Sequence, residues 1–218
     1  MADYATARRN MVDGQLRPNK ITDPELIGAI QKLPRERFVP PSMRGVAYID
    51  EDLPLGEGRH LMEPLVMARL LQAAEVRRAD VALNIAPGTG YDAAVLSALA
   101  STVVAIESDR VLAEQATTTL AQLGIDNAAV IEGDLKEGYP AQAPYDVIFI
   151  SGAVSEVPSR LLDQLAEGGR LVCVIIRAAG VGSAMLFVCE GGVTGHTVLF
   201  DASTPLLPQF EPTPKFVF

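Results

Sequence analysis

The sequence predicts an α/β protein: a doubly wound, mostly parallel sheet that finishes in an antiparallel hairpin and carries an N-terminal helical extension. Three observations lead there. Short apolar runs alternate with helix-like stretches from Val81 to Ile176, the pattern of a parallel sheet covered on both faces. The first run, Val81 to Ile85, breaks into the glycine turn Pro87-Gly88-Thr89-Gly90 and then into an apolar helical stretch beginning at Ala93. Near the end, Ala184 to Cys189 and Val193 to Phe200 flank Glu190-Gly191-Gly192, which reads as a hairpin.

Taken in order, Ala2 to Leu16 reads as an amphipathic helix, with Tyr4, Met11, Val12 and Leu16 among charges. Thr22-Asp23-Pro24 is a helix start, and Leu26, Ile27, Ile30 and Leu33 form the apolar stripe behind it. Arg35 to Pro64 is rich in Pro, Gly and charge and reads as a long loop, a length usually kept for function. Pro64 to Ala74 is helical again. Beyond the first strand, Thr102–Ile106, Ala128–Ile131, Tyr145–Ile150 and Arg170–Ile176 read as strands. Asp109–Leu123 and Pro158–Leu165 read as helices, the second ended by Gly168-Gly169. The reading divides the chain into N-terminal helices with a loop over 1–75, an α/β core over 76–203, and an extended, proline-rich surface tail over 204–218.

The chain has 218 residues, 49% hydrophobic and 21% charged, enough for a core without disulfide or metal staples. Its formal net charge of −9 argues against a nucleic-acid backbone as the main partner. Cys173 and Cys189 both sit in apolar runs, where buried free thiols are the default. No apolar stretch reaches membrane-spanning length and the N-terminus lacks a signal-peptide apolar region, so a cytoplasmic protein is expected.

Ligands of such sheets lie beyond the carboxyl ends of the strands. Glu107 closes the second strand 19 residues after Gly88, a spacing at which a carboxylate can accept both hydroxyls of a ribose. Asp134 closes the third strand, where an adenine edge would lie, and Asn84 sits near the turn. The bland alternative for each acid is a solvated strand end. The glycine pattern is Ala86-Pro87-Gly88-Thr89-Gly90, without the full set a pyrophosphate needs, so a smaller nucleoside ligand such as S-adenosylmethionine fits better than a nicotinamide cofactor. No phosphate-loop motif is present.

Several segments together resemble the protein-L-isoaspartate O-methyltransferase family of seven-stranded, Rossmann-like S-adenosylmethionine-dependent methyltransferases. They are LPRERFVP (33–40), AYIDEDLPLGEG (47–58), GTGYDAAVLSALA (88–100), VVAIES (103–108), EGDLKEGYPAQAPYDVIFISGAVSEVP (132–158) and LLDQLAEGGRLV (161–172), in family order. The resemblance implies a protein-repair enzyme that methylates the side-path carboxylate of isoaspartyl residues in proteins or peptides, with S-adenosylmethionine as cofactor and no metal. It implies that Glu107 contacts the ribose, Asp134 the adenine ring and the Gly88–Gly90 turn the methionine part, with Asn84, Ala86, Ser108 and Leu135 among the cofactor-binding positions.

The departures are concentrated near the reacting groups. The family's loop signature G-Q-T-I-S-Q-P is here Gly58-Arg59-His60-Leu61-Met62-Glu63-Pro64, so Met62 stands where the family has a serine. Asn84 replaces a glutamate, Ala86 a glycine, and Leu135 the glycine after the acidic third-strand end. A carboxylate with a pKa near ~4 is already ionised at neutral pH and needs alignment rather than a base. The reading therefore makes Arg59 or His60 the anchor of the acceptor carboxylate, with Met62 packing beside the methyl group. The altered loop leaves two alternatives: a cofactor-binding homologue with another methyl acceptor, and a non-catalytic binding protein.

Overall fold

The computed structural model describes residues 3–176 and 181–211. Ala2, where the first expected helix begins, and residues 212–218 of the expected tail lie outside them.

Five strands are parallel: β3 (Val81–Ile85), β4 (Thr102–Glu107), β5 (Ala128–Glu132), β6 (Tyr145–Val154) and β7 (Leu165–Ile175). Two more, β8 (Ser183–Glu190) and β9 (Val193–Asp201), continue the sheet antiparallel. The order is β5-β4-β3-β6-β7-β8-β9, the expected seven-stranded sheet ending in a hairpin. From β3 the chain runs outward through β4 and β5, then returns to β6 on the other side of β3. That reversal opens a crevice at the carboxyl ends of β3 and β6.

Alternation along the strands sorts side chains into two apolar layers. Ala82, Val103, Ala105, Val147, Phe149, Val172 and Val174 join one cluster with α1 (Tyr4–Met11), α2 (Pro24–Lys32), α3 (Pro64–Ala74) and α4 (Tyr91–Leu99). Leu83, Ile85, Val104, Ile106, Ile148, Ile150, Leu171 and Cys173 point the other way. The second layer has thinner cover: the short helix α6 (Ser159–Leu162), Leu135, Tyr145, and the late residues Leu207 and Phe210. Helix α5 (Arg110–Gln122) follows β4, its N-terminus capped by the Asp109 carboxylate on Leu112 N–H at 3.0 Å. Asp23 caps α2 in the same way, and Pro24 opens it. No helix among the described residues is long and apolar enough to cross a membrane.

Several expectations are corrected. The first helix is α-helical only to Met11 and continues as a π-helical turn over Val12–Leu16. The segment expected to be a long loop holds two 3-10 turns, Arg35–Arg37 and Pro41–Val46, and a separate hairpin of β1 (Leu53–Gly56) and β2 (Arg59–Leu61). The helix expected over Pro158–Leu165 is a single turn, because Leu165 already pairs with Tyr145; β7 runs on through Gly168-Gly169 with a bulge. The described part of the tail, residues 204–211, is not a surface strap. Thr204, Leu207 and Phe210 are buried, and this segment lies along the far end of β6, with Ala153 N–H donating to Pro205 at 3.1 Å and Leu207 N–H donating to Ala153 at 2.9 Å. Cys173 is a buried free thiol, while Cys189 is only half-buried.

Candidate functional site

The turn after β3 begins with Ala86 at φ 61°, a left-handed conformation that an alanine adopts only at some strain. It turns the Ala86 carbonyl toward the crevice. Gly88 follows at φ 58°, and a Cβ there would come within 2.7 Å of the Leu55 side chain on β1. The turn is thus roofed by the β1–β2 hairpin. Gly90, at φ 95°, starts α4.

Glu107, at the end of β4, is fully buried and not the solvated strand end of the bland reading. Its Oε1 accepts from Ser108 N–H at 2.8 Å and Asp109 N–H at 3.0 Å; its Oε2 accepts from Gly88 N–H at 2.9 Å. The Arg59 guanidinium adds a two-pronged pair, Nη1 to Oε1 at 2.5 Å and Nη2 to Oε2 at 2.9 Å. Nη2 also donates to the Ala86 carbonyl at 3.0 Å. Arg59 is 5% exposed. The sequence reading offers Arg59 to an acceptor carboxylate; in the structure Glu107 holds it.

The reason lies in strand geometry. Successive residues of β2 point to opposite faces. Arg59 and Leu61 are buried on the sheet side, and His60 is half-buried on the other, its Nδ1 without a partner. Arg59 and His60 therefore do not face one pocket. Met62 is buried, and its carbonyl accepts from Arg35 Nη2 at 2.7 Å.

Beneath the turn lies a polar cluster. Asn84 is fully buried, its Nδ2 donating to Ser151 Oγ at 2.8 Å and to the Phe149 carbonyl at 3.1 Å, while its Oδ1 has no partner. Asp92, on the first turn of α4, is also buried and its Oδ1 is unpartnered. Burial pushes its carboxyl up to about 6, against the opposing pull of the Ser151 hydroxyl and Arg35. Glu63 is raised to about 7 by its own burial and by Asp50, Asp52 and Glu51 nearby. Asp52 and Asp50 accept from Glu63 N–H and Leu65 N–H, each at 3.0 Å, at the start of α3.

With the folded pKa of Asp92 raised from 3.8 to about 6, folding favours its protonated form. The penalty for the charged form is absent below the unfolded value, grows through that window, and is complete above it. Asp92→Asn is expected to stabilise the protein by about 2–3 kcal/mol at pH 8, with the advantage gone by pH 3.5. Urea unfolding of both proteins at the two pH values measures it. An equal difference at both would assign the effect to packing.

After β5, Asp134 is exposed, its Oδ1 accepting from Lys136 N–H at 2.8 Å, and it shares an open cleft with Ser108, Glu132, Gly133 and Gln209. Leu135 is buried in the same apolar cluster as Leu207 and Phe210. Between hairpin tip and tail, Arg59, Ser108, Leu135 and Pro208 line a cavity of about 220 Å³.

The sequence reading passed over Arg35. It is completely buried, donates from Nε to the Ala47 carbonyl at 2.8 Å, and stacks over the Tyr91 ring at 4.7 Å. The signal was a charged residue amid the apolar and proline residues of LPRERFVP. The tail's role also has a signal, the apolar trio Leu206, Leu207 and Phe210 among its prolines.

Comparison with known proteins gives a consistent result. Residues 7–189 match the family model described as Protein-L-isoaspartate(D-aspartate) O-methyltransferase. A protein-L-isoaspartate O-methyltransferase of Methanoculleus marisnigri is 41% identical over 203 residues, 93% of this chain and 92% of that one. One from Koribacter versatilis is 43% identical over 172 residues, 79% of this chain and 78% of that one. A solved protein-L-isoaspartate O-methyltransferase superposes with a TM-score of 0.80 at 28% identity, over 92% of this chain and 65% of its own length. A Plasmodium falciparum structure described as a complex with S-adenosyl-L-homocysteine has the same fold, with a TM-score of 0.79 at 18% identity over 96% of this chain and all of that one.

Proposed function

We propose that this chain, which belongs to the protein-L-isoaspartate O-methyltransferase family, transfers a methyl group from S-adenosylmethionine to the free carboxylate of isoaspartyl residues in damaged proteins and peptides. The observation that carries the reading is the family match over residues 7–189, shared with relatives of that name at about 40% identity.

The residues present suit the cofactor's chemistry. Asn84 Oδ1 is a buried acceptor without a donor at the crevice, the kind of group an ammonium satisfies. Glu107 is the acceptor for the ribose hydroxyls, with Ser108 beside it. Ala86, Gly88 and Gly90 present backbone to the methionine part, and Asp134 and Leu135 flank the adenine. When bound, the cofactor supplies a methyl group on a positively charged sulfonium. The chain's part is to orient and to exclude water. The acceptor carboxylate is ionised at neutral pH, so Met62 in place of a serine removes a hydrogen bond but no base. Met62, Leu55 and Leu61 make the loop's inner surface apolar. His60, with its free Nδ1, is the polar group the loop keeps for the acceptor.

Radiolabelled methyl transfer to an isoaspartyl peptide and to its normal aspartyl twin tests the reading. Label is expected on the isoaspartyl peptide alone, lost again as the ester closes to a succinimide. Label on neither peptide, from a protein that binds the cofactor, would assign it another acceptor.

A further inference from the structure

The Glu107 carboxylate is saturated. Two carboxylate oxygens offer about four lone-pair sites. Glu107 already receives three backbone N–H groups and both arms of Arg59. The three backbone N–H groups leave about one of those sites, and Arg59 takes it, so a ribose hydroxyl finds no acceptor there while Arg59 is in place. The same hairpin sets Leu55 against Gly88, and the neighbouring tail sets Leu207 against Gly152, where a Cβ would come within 2.7 Å of Leu207 Cγ. The two covers touch each other: a Cβ on Gly58 at the hairpin tip would sit 3.2 Å from Pro208. The cavity left beside Arg59 is about 220 Å³ and adjoins the open cleft beside Asp134, with which it shares Ser108 and Gln209.

We infer that Arg59 is a built-in competitor of the cofactor: its guanidinium occupies the ribose carboxylate, and the cofactor binds only when the β1–β2 hairpin withdraws it. This rests on the cofactor reading above. Displacement is feasible because Arg59 reaches the site from a two-stranded hairpin outside the main sheet. The hairpin's tip, Gly56-Glu57-Gly58, has positive φ throughout, and of its glycines only Gly58 lies close to another segment, Pro208 of the tail. The apparent affinity is the intrinsic affinity reduced by the fraction of molecules with Arg59 withdrawn. A purely structural ion pair predicts the opposite, since loosening it weakens the cofactor's seat.

The test is calorimetric titration of S-adenosylhomocysteine into wild type, Arg59→Gln and Arg59→Lys, with the melting of each measured with and without the ligand. Glutamine keeps a polar group but no charge, and lysine cannot make the two-pronged pair. Arg59→Gln is expected to bind at least about tenfold more tightly than wild type, with Arg59→Lys between them. Without ligand, Arg59→Gln melts lower; its ligand-induced rise in Tm is larger. If wild type binds and Arg59→Gln binds equally or more weakly, the competitor role is overturned and the cofactor reading stands. If no folded variant binds, both fall. Should Arg59→Gln fail to fold, Arg59→Lys decides: tighter binding than wild type supports the proposal, and unchanged or weaker binding overturns it.

Discussion

Glu107→Gln is expected to destabilise the cofactor-free protein by about 3–5 kcal/mol, the range for removing one partner of a buried ion pair. Glutamine offers one acceptor oxygen where the carboxylate serves five donors, and its own N–H groups would face the donors of Gly88 or Ser108. Arg59 would remain buried with its charge unmatched. The double variant Arg59→Met with Glu107→Met removes both charges together but leaves the Gly88, Ser108 and Asp109 N–H groups without an acceptor, so it is expected to recover only part of that loss. Urea unfolding of wild type, single and double variants measures the cycle. A loss below about 1 kcal/mol in the single variant would be the behaviour of a solvent-exposed pair and would contradict the burial described.

Arg35→Met is expected to cost a similar amount, about 3–5 kcal/mol. Two hydrogen bonds from a charged donor, to Ala47 and Met62, contribute roughly 1.5–3 kcal/mol each, and the stacking on Tyr91 adds to them. Its unpaired Nη1 offsets part of that gain. Arg35 joins the end of the Pro41–Val46 turn to the Met62 loop, so its loss should also speed amide exchange across residues 47–63. Arg35→Lys is expected to recover less than half, since one ammonium cannot reach both carbonyls in the guanidinium's fixed fork. Unchanged exchange in a destabilised variant would separate the packing role from the tethering role.

What was legible in the sequence follows from what short-range pattern can encode. The central strands were readable because both their faces are buried, which leaves apolar runs such as Val103–Ile106 and Val147–Ile150. The Asp23-Pro24 start of α2 was readable because a cap is a local hydrogen bond. Gly168-Gly169 misled, because a helix stop and a strand bulge use the same residue; the pairing of Leu165 with Tyr145 that decides between them spans 20 residues. The β1–β2 hairpin was hidden by Pro54, Gly56 and Gly58, which read as loop. The two acids that close β4 and follow β5, Glu107 and Asp134, could be named from position alone. The bond from Arg59 to Glu107 could not: it joins residues 48 apart, and nothing in either segment's periodicity marks the other. Only the alternation within Arg59-His60-Leu61 hinted that the two cations face apart.

The placement of residues 204–210 bears on the order in which the molecule is completed. The Thr204 hydroxyl donates to Asp52 at 2.9 Å across 152 positions, and Ser155 Oγ donates to the Phe210 carbonyl at 2.6 Å. During synthesis all seven strands are made before this segment. Until this segment is in place the far end of β6 is bare, with Ala153 and Gly152 open to water. Closure at that end comes only when Leu207 and Phe210 have emerged, and it joins one of the earliest loops to one of the latest segments. A chain ending before residue 204 would therefore leave the Gly152–Ala153 end of β6 unsealed, with the apolar surface that Leu207 and Phe210 cover open to water.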